Sequence, residues 1–152
     1  MMEIKKILFP CDLSENASKI LPYVLSISEA YKSTIYLLHV VDDLGRWGKA
    51  YIPHTSMDVL QKEALKGAEK AMDRFAEEPA LEKLGANLQR RIVSGDPATE
   101  IVKAIESEGI DMVIMATHGR KGLEHVILGS VAENVVRKSP VPVMTVNPYK
   151  LK

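Results

Sequence analysis

Strand-like and helix-like patterns alternate along the whole chain, and this alternation limits the folds that it can adopt. Met112–Ala116 is apolar without interruption, which is typical of a strand that is covered on both faces. Other stretches repeat their apolar residues at helical spacing, as Ala17, Ile20 and Val24 do. The alternation predicts an α/β fold in which helices cover both faces of a parallel sheet through right-handed crossovers.

We expect five strands and four main helices. The strands are predicted at Ile4–Phe9, Thr34–Val41, Asn87–Val93, Met112–Ala116 and Val141–Val146. The helices are predicted after an N-cap at Ser14, from Ser56 to near Pro79 or Gly85, between the cap Asp96 and Gly109, and at Ser130–Lys138. The apolar face of the second helix is expected to include Leu60, and Arg90 and Arg91 indicate that the third strand lies at an edge.

Residues 1–152 are expected to form a single domain, because a chain of this length suits one core. The predicted fold is a doubly wound, five-stranded parallel sheet of order 3-2-1-4-5, a Rossmann-like or flavodoxin-like three-layer sandwich. Ligands of such folds bind at the carboxyl ends of the strands where the strand order reverses. The ends of the first and fourth strands are therefore the natural binding site.

Charge and composition narrow the classes of function. Lys plus Arg and Asp plus Glu both number 20, so the basic excess that is common in nucleic-acid binders is absent and no nucleic-acid partner is expected. Cys11 is the single cysteine, and no apolar stretch approaches the ~18 residues of a membrane span. The first residues lack the apolar region of a signal peptide. We expect a cytoplasmic protein with no membrane partner.

A glycine-punctuated loop follows the fourth strand and leads into the last helix. Gly119 and Gly129 would let the backbone approach phosphate oxygens, and the amides at a helix N-terminus attract anions. The hydroxyl of Ser130 could donate to the same phosphates. The alternative is an ordinary glycine loop with a routine serine cap.

Several other nucleotide and catalytic motifs are absent from the sequence. The first strand is not followed by Gly-x-Gly-x-x-Gly, which argues against a dinucleotide dehydrogenase. There is no P-loop, no Cys/His spacing typical of zinc and no Gly-x-Ser-x-Gly nucleophile elbow.

The spacing of Gly119, nine residues and then Gly129-Ser130 resembles the ATP-binding signature of universal stress proteins. Ala116 stands at the position of the family's first motif glycine. The resemblance covers nearly the whole chain, and its other parts are the opening 5–14, the second strand 37–40, the helix start 130–135 and the end 140–143.

The resemblance implies an ATP site and a magnesium ion bound with it. Asp12 would contact the ribose or the magnesium shell, and the backbone of Val40 would recognise the adenine edge. The amides of Gly129, Ser130 and Val131 would face the phosphates. The other residues that the resemblance places around the nucleotide are Pro10, Cys11, Met115, Ala116, Thr117, His118 and Gly119.

Simpler roles for some of these residues stay open. Asp12 could be a turn or capping residue, and His118 could be a surface loop histidine. Cys11 is better explained as a packing residue than as a nucleophile, because no base is adjacent in the sequence. Trp47 and Tyr51 could cover the adenine, although such a loop is more often simply mobile.

The resemblance implies a nucleotide-dependent regulatory or stress-response protein that acts as a homodimer. The strand Val141–Val146 is apolar, carries no charge and would lie at a sheet edge that proteins normally cover or pair. An enzyme is not expected, since Asp12 and His118 are the only candidate bases. The alternatives are a slow ATP hydrolase and a family member that acts through protein contacts without ATP.

Overall fold

The described strands form one parallel sheet of order β3-β2-β1-β4-β5. The structure is a computed structural model that describes residues 1–46, 54–119 and 128–151. The strands are β1 Lys6–Pro10, β2 Thr34–Asp42, β3 Leu88–Gly95, β4 Met112–Ala116 and β5 Val143–Val146. This topology confirms the predicted doubly wound fold and places β3 and β5 at the two edges.

The helices connect these strands in the expected order. They are α1 Glu15–Tyr31, α2 His54–Ala76, α3 Pro79–Glu82, α4 Pro97–Glu108 and α5 Ser130–Lys138, with short 3₁₀ turns at Leu44–Arg46 and Gly85–Asn87. The predicted second helix is thus two helices. Pro79 disfavours a helical residue before it and suits the first position of a new helix, so α2 ends and α3 begins.

Alternate residues of the central strands pack against different helices. Phe9 and Leu37 face the core under α1 and α2, and the rings of Phe9 and Phe75 lie 6.4 Å apart. Leu8 and Leu38 face the core under α4 and α5. The sheet is therefore covered on both faces, as the uninterrupted apolar strands predict. None of the helices in the described ranges is long and apolar enough to span a membrane.

Two predicted strand starts are wrong by two residues, for reasons of local hydrogen bonding. The amides of Lys5 and Lys6 both donate to the carboxylate of Asp111 at 2.9 Å, so β1 begins at Lys6. The Oγ of Ser139 accepts from the Val141 amide at 3.1 Å and donates to the Val141 carbonyl oxygen at 2.8 Å. Those groups are engaged outside the sheet, and β5 begins at Val143.

The helix ends follow the sequence in part. Asp96 caps α4 by accepting from the Thr99 amide at 3.0 Å, and Gly109 ends that helix at φ 63°. Ser14 is at the N-cap position of α1 but makes no capping bond with its side chain.

The predicted burial of Leu60 is wrong, because 47% of its surface is exposed. The buried residues of α2 are Ala68, Met72 and Phe75, all in its second half. Helical periodicity identifies an apolar face, but it does not say how far along the helix the sheet extends.

Candidate functional site

A cleft of about 790 Å³ lies at the carboxyl end of the sheet. It is lined by residues of β1, β2 and β4, by the segments that follow β1, β3 and β4, and by residues of α1 and α5. Every residue predicted for the site lines this cleft, namely Pro10, Cys11, Asp12, Val40, Met115, Ala116, Thr117, His118, Gly119, Gly129, Ser130 and Val131. The sequence-based prediction therefore brings together residues from three distant parts of the chain.

The turn after β1 fixes the carboxylate of Asp12. Its Oδ1 accepts from the amide of Ser14 at 3.0 Å and from the Ser14 hydroxyl. Leu13 lies between them at φ 62°, a left-handed conformation that is unusual for a bulky residue. Such strain persists only where the surroundings over-determine it. Asp12 is thus both a turn residue and a residue that lines the cleft.

Cys11 is a packing residue of the same turn. It is 8% exposed, and its Sγ accepts from the Leu13 amide at 3.2 Å. Burial, the main cause, raises the pKa of the Cys11 thiol far above its ordinary value. A thiol that stays protonated is a poor nucleophile, which agrees with the prediction from sequence.

The glycine loop is closed at its base by backbone hydrogen bonds. The amide of Gly129 donates to the carbonyl oxygen of Thr117 at 2.8 Å, and the amide of Thr117 donates to that of Val146 at 2.9 Å. A Cβ on Gly129 would lie 2.7 Å from the Thr117 oxygen. The loop itself therefore requires this glycine, whatever ligand binds.

This geometry changes one expectation about the amides. The Gly129 amide is engaged with Thr117, so it is not one of three equivalent donors for phosphates. The amides of Ser130 and Val131 are the first of α5, where helix geometry provides no intrahelical acceptor. Both residues line the cleft, and their amides are available to an anion there.

The two halves of the site approach each other at Gly119. A Cβ at this position would lie 2.8 Å from Oδ2 of Asp12, so glycine allows the loop to reach the turn after β1. The rest of the loop, 120–127, lies outside the described residues, as do Trp47 and Tyr51.

Ala116 fits the end of β4 without strain. It pairs with Val146 in the sheet and is half-buried. Among the described residues, the non-glycine residues with positive φ are Leu13 and Lys32. A methyl group on an extended residue costs nothing in backbone energy, so the replacement of glycine by alanine leaves the strand end intact.

His118 is a buried residue, and the alternative of a surface loop histidine is wrong. Only 2% of it is exposed. Its Nδ1 lies 2.7 Å from Oγ1 of Thr117, and its ring packs edge-on against Tyr149 at 5.3 Å between centroids. Packing on both sides holds the start of the glycine loop.

Sequence reasoning missed eight residues of the cleft, among them polar residues at the end of β2 and directly after β3. The residues that it missed are Phe9, Ala17, Leu38, His39, Asp42, Asp96, Pro97 and Ala132. Asp42 ends β2, and Asp96 follows β3 directly. The signal was available, because all parallel strands end at the same edge of a sheet and those two ends carry polar residues as well.

The described residues hold no group of three or more His, Cys, Asp or Glu side chains suited to a metal ion. Asp12 contributes one carboxylate to the cleft. Magnesium is commonly held by one or two carboxylates together with substrate phosphates. The donor set therefore fits a metal that arrives with a phosphorylated ligand.

Comparisons with known proteins agree with this fold and this cleft. The model of the universal stress protein family matches residues 3–147. Universal stress protein MJ0577 of Methanocaldococcus jannaschii is 36% identical, with 93% of this chain and 94% of that protein covered. Universal stress protein MJ0531 of the same organism is 32% identical, with 96% and 84% covered.

Solved structures show the same architecture. The structure of the hypothetical protein MJ0577 superposes with a TM-score of 0.80 at 37% identity, covering 97% of both chains. The structure of universal stress protein UspA from Lactobacillus plantarum superposes with a TM-score of 0.70 at 22% identity, covering 95% of this chain and 99% of that one. The sequence and the fold lead to one conclusion: the chain belongs to the universal stress protein family.

Proposed function

We propose that the cleft binds ATP with magnesium and that the protein is a nucleotide-dependent regulatory or stress-response dimer. One observation carries the proposal. Ser130 and Val131, whose amides are the first of α5, follow the closed base of the glycine loop and line the same cleft as Asp12. Helix amides bind phosphate oxygens, and a carboxylate beside them binds the accompanying cation.

The other end of the cleft suits an adenine ring. Leu38, Val40 and Met115 supply apolar surface there, and the backbone of Val40 offers hydrogen-bonding groups at the end of β2. A planar base gains from apolar contacts, and backbone groups supply its polar recognition. The side chain of residue 40 is then secondary to its backbone.

The fold accommodates adenine nucleotides elsewhere. A universal stress protein in complex with cAMP superposes with a TM-score of 0.69 at 19% identity. The universal stress protein from Archaeoglobus fulgidus in complex with dAMP superposes with a TM-score of 0.66 at 16% identity. At these identities the likeness concerns the fold alone, so it supports the place of the cleft and not the choice of nucleotide.

ATP is expected to be held rather than consumed. Of the two candidate bases, His118 is buried and its Nδ1 is engaged with Thr117. Asp12 is engaged by Ser14 through Oδ1. Slow ATP hydrolysis is the second candidate function, since Asp12 lies in the cleft. We place the function in the cytoplasm, where ATP is abundant and a lone thiol stays reduced.

The decisive experiment is calorimetric titration with Mg-ATP. We expect a dissociation constant in the micromolar range, within about tenfold. Denaturing the freshly purified protein and identifying any released nucleotide would test the same claim without added ligand. Absence of binding heat together with absence of any thermal shift would refute ATP binding.

The variant Asp12→Asn tests whether the carboxylate of Asp12 binds the magnesium ion. Asparagine keeps an oxygen that can accept from the Ser14 amide, so the turn after β1 is preserved. We expect Mg-ATP to bind about tenfold more weakly, a loss of ~1.4 kcal/mol, while ATP without magnesium is not weakened. The control is Asp58→Asn on the exposed part of α2, which should change neither. Equal losses with and without magnesium would mean that Asp12 does not bind the metal.

A further inference from the structure

The short turn after β5 contacts the start of the glycine loop. This turn comprises residues 147–150. The side-chain oxygen of Asn147 accepts from the Tyr149 amide at 2.9 Å, and the backbone carbonyl oxygen of Asn147 accepts from the Lys150 amide at 3.2 Å. Pro148 is buried, and Leu151 packs against the core under α1 and α2. The turn is therefore a fixed structure.

Tyr149 contacts His118 and Asn16 from this turn. Its ring packs edge-on against the ring of His118, at 5.3 Å and 60°. Its hydroxyl oxygen accepts from Nδ2 of Asn16 at 3.2 Å. His118 in turn contacts Oγ1 of Thr117, the residue whose carbonyl oxygen closes the glycine loop. Tyr149 thus supports the loop from outside the cleft.

Asn16 connects Tyr149 directly to the glycine loop. It lies in the first turn of α1, and its Nδ2 donates both to Tyr149 and to the carbonyl oxygen of Gly119 at 3.1 Å. Gly119 is the residue that approaches the carboxylate of Asp12. The position of Gly119 relative to Asp12 is therefore fixed by contacts with Asn16 and, through His118, with Tyr149.

We propose that Tyr149 is a positioning residue that holds Thr117–Gly119 in place and thereby sets the affinity of the cleft for the phosphates of its nucleotide. Tyr149 is not among the residues that line the cleft, so it acts through His118 and Asn16. This inference rests on the proposed function. It concerns the phosphate side only, because the supported residues belong to the glycine loop and not to the end of β2.

The test compares ATP with adenosine in Tyr149→Ala. We expect ATP to bind about twofold to tenfold more weakly, the range that the loss of one ring pair allows, while adenosine binding is unchanged. Tyr149→Phe keeps the ring on His118 and should retain most of the ATP affinity. The control is Tyr31→Ala, a half-exposed tyrosine at the far end of α1 from Asn16. Equal losses for ATP and adenosine, or no loss of either, would overturn the proposal.

Hydrogen exchange in the protein without nucleotide gives a second readout. The Gly129 amide, which donates to Thr117, should exchange about tenfold faster in Tyr149→Ala, whereas the amides of β1 should not change. If Tyr149→Ala does not fold, Asn16→Ala removes the bonds to Gly119 and to the tyrosine hydroxyl and is expected to show the same pattern. An unchanged Gly129 amide would refute the positioning role even where ATP binds. Failure of the unmodified protein to bind ATP would overturn both the proposed function and this inference.

Discussion

Gly129 shows how a motif glycine can be required for a reason other than the ligand. From sequence, the glycine is explained by close approach of the backbone to phosphate. In the structure the near neighbour is the protein's own Thr117 carbonyl oxygen, 2.7 Å from where a Cβ would stand. The glycine is a requirement of the closed loop, and the loop is in turn a requirement of the site.

Gly129→Ala is therefore expected to act on the empty protein as well as on binding. Its methyl group would force the loop base apart, and we expect about 1–3 kcal/mol of destabilisation, as for other overpacked positions. ATP affinity should fall with it. Gly67→Ala is the matched control, since a Cβ there meets nothing within 4 Å and lies in the exposed part of α2, where alanine should be neutral or stabilising. Urea unfolding measures both, and a Gly129→Ala protein as stable as the unmodified one would contradict the expectation.

Sequence reasoning located twelve residues of the cleft but not the residues that support them. The motif residues are close in the chain or belong to strand ends that the topology brings together. Asn16 and Tyr149 are separated by 133 positions, and no local pattern links them. The same is true of the Asp111 carboxylate that sets the start of β1. Contacts of this kind depend on side-chain geometry after folding, which periodicity and motifs do not encode.

In β5, the sequence could not decide which residues direct their backbone groups towards β4 and which direct them towards the open edge. The carbonyl oxygens of Pro142 and Val146 accept from the amides of Val113 and Thr117. Backbone groups of successive strand residues point to opposite sides, so Met144 shares the side that faces β4. Val143 and Thr145 therefore direct their backbone groups to the open edge. The α/β alternation predicted a doubly wound parallel sheet, but it did not predict the direction of these bonds.

This orientation sharpens the proposed dimer into a test by proline substitution. Proline removes one amide donor and suits an extended backbone, so its effect depends on which side the amide faced. Val143→Pro and Thr145→Pro should break the dimer and leave a folded monomer. Met144→Pro and Val146→Pro should lower the stability of the fold, because they remove bonds to β4.

Light scattering at tens of micromolar and thermal unfolding distinguish the two pairs of variants. Thr145→Pro is the cleaner member of its pair, because Thr145 is exposed and its side chain contributes little packing. A monomeric unmodified protein would end the model of a dimer through β5. A dimer that survives the substitutions at both Val143 and Thr145 would do the same.

At the scale of the whole molecule, the cleft is predicted to retain ATP. Phosphate release in the steady state should be slow or absent, since His118 is buried with its Nδ1 engaged by Thr117 and Oδ1 of Asp12 is engaged by Ser14. Retained nucleotide should also stabilise the fold, by about 2.7 kcal/mol at a hundredfold excess over the dissociation constant. A phosphate-release assay and thermal unfolding with and without Mg-ATP check both. Rapid turnover that survives further purification and is abolished by Asp12→Ala or His118→Ala would identify an enzyme instead.

The hydrogen bond between Thr117 and Val146 links the nucleotide site to the proposed dimer interface. Val146 ends the strand proposed to pair with a second copy, and its carbonyl oxygen receives the amide at the base of the glycine loop. In such a dimer the two loops would be attached to neighbouring strands of one continuous sheet. ATP binding and dimer association would then be coupled reciprocally. If ATP raises the association constant of the dimer by some factor, association raises the affinity for ATP by the same factor. The ATP affinity of the site would then depend on the concentration of the protein itself.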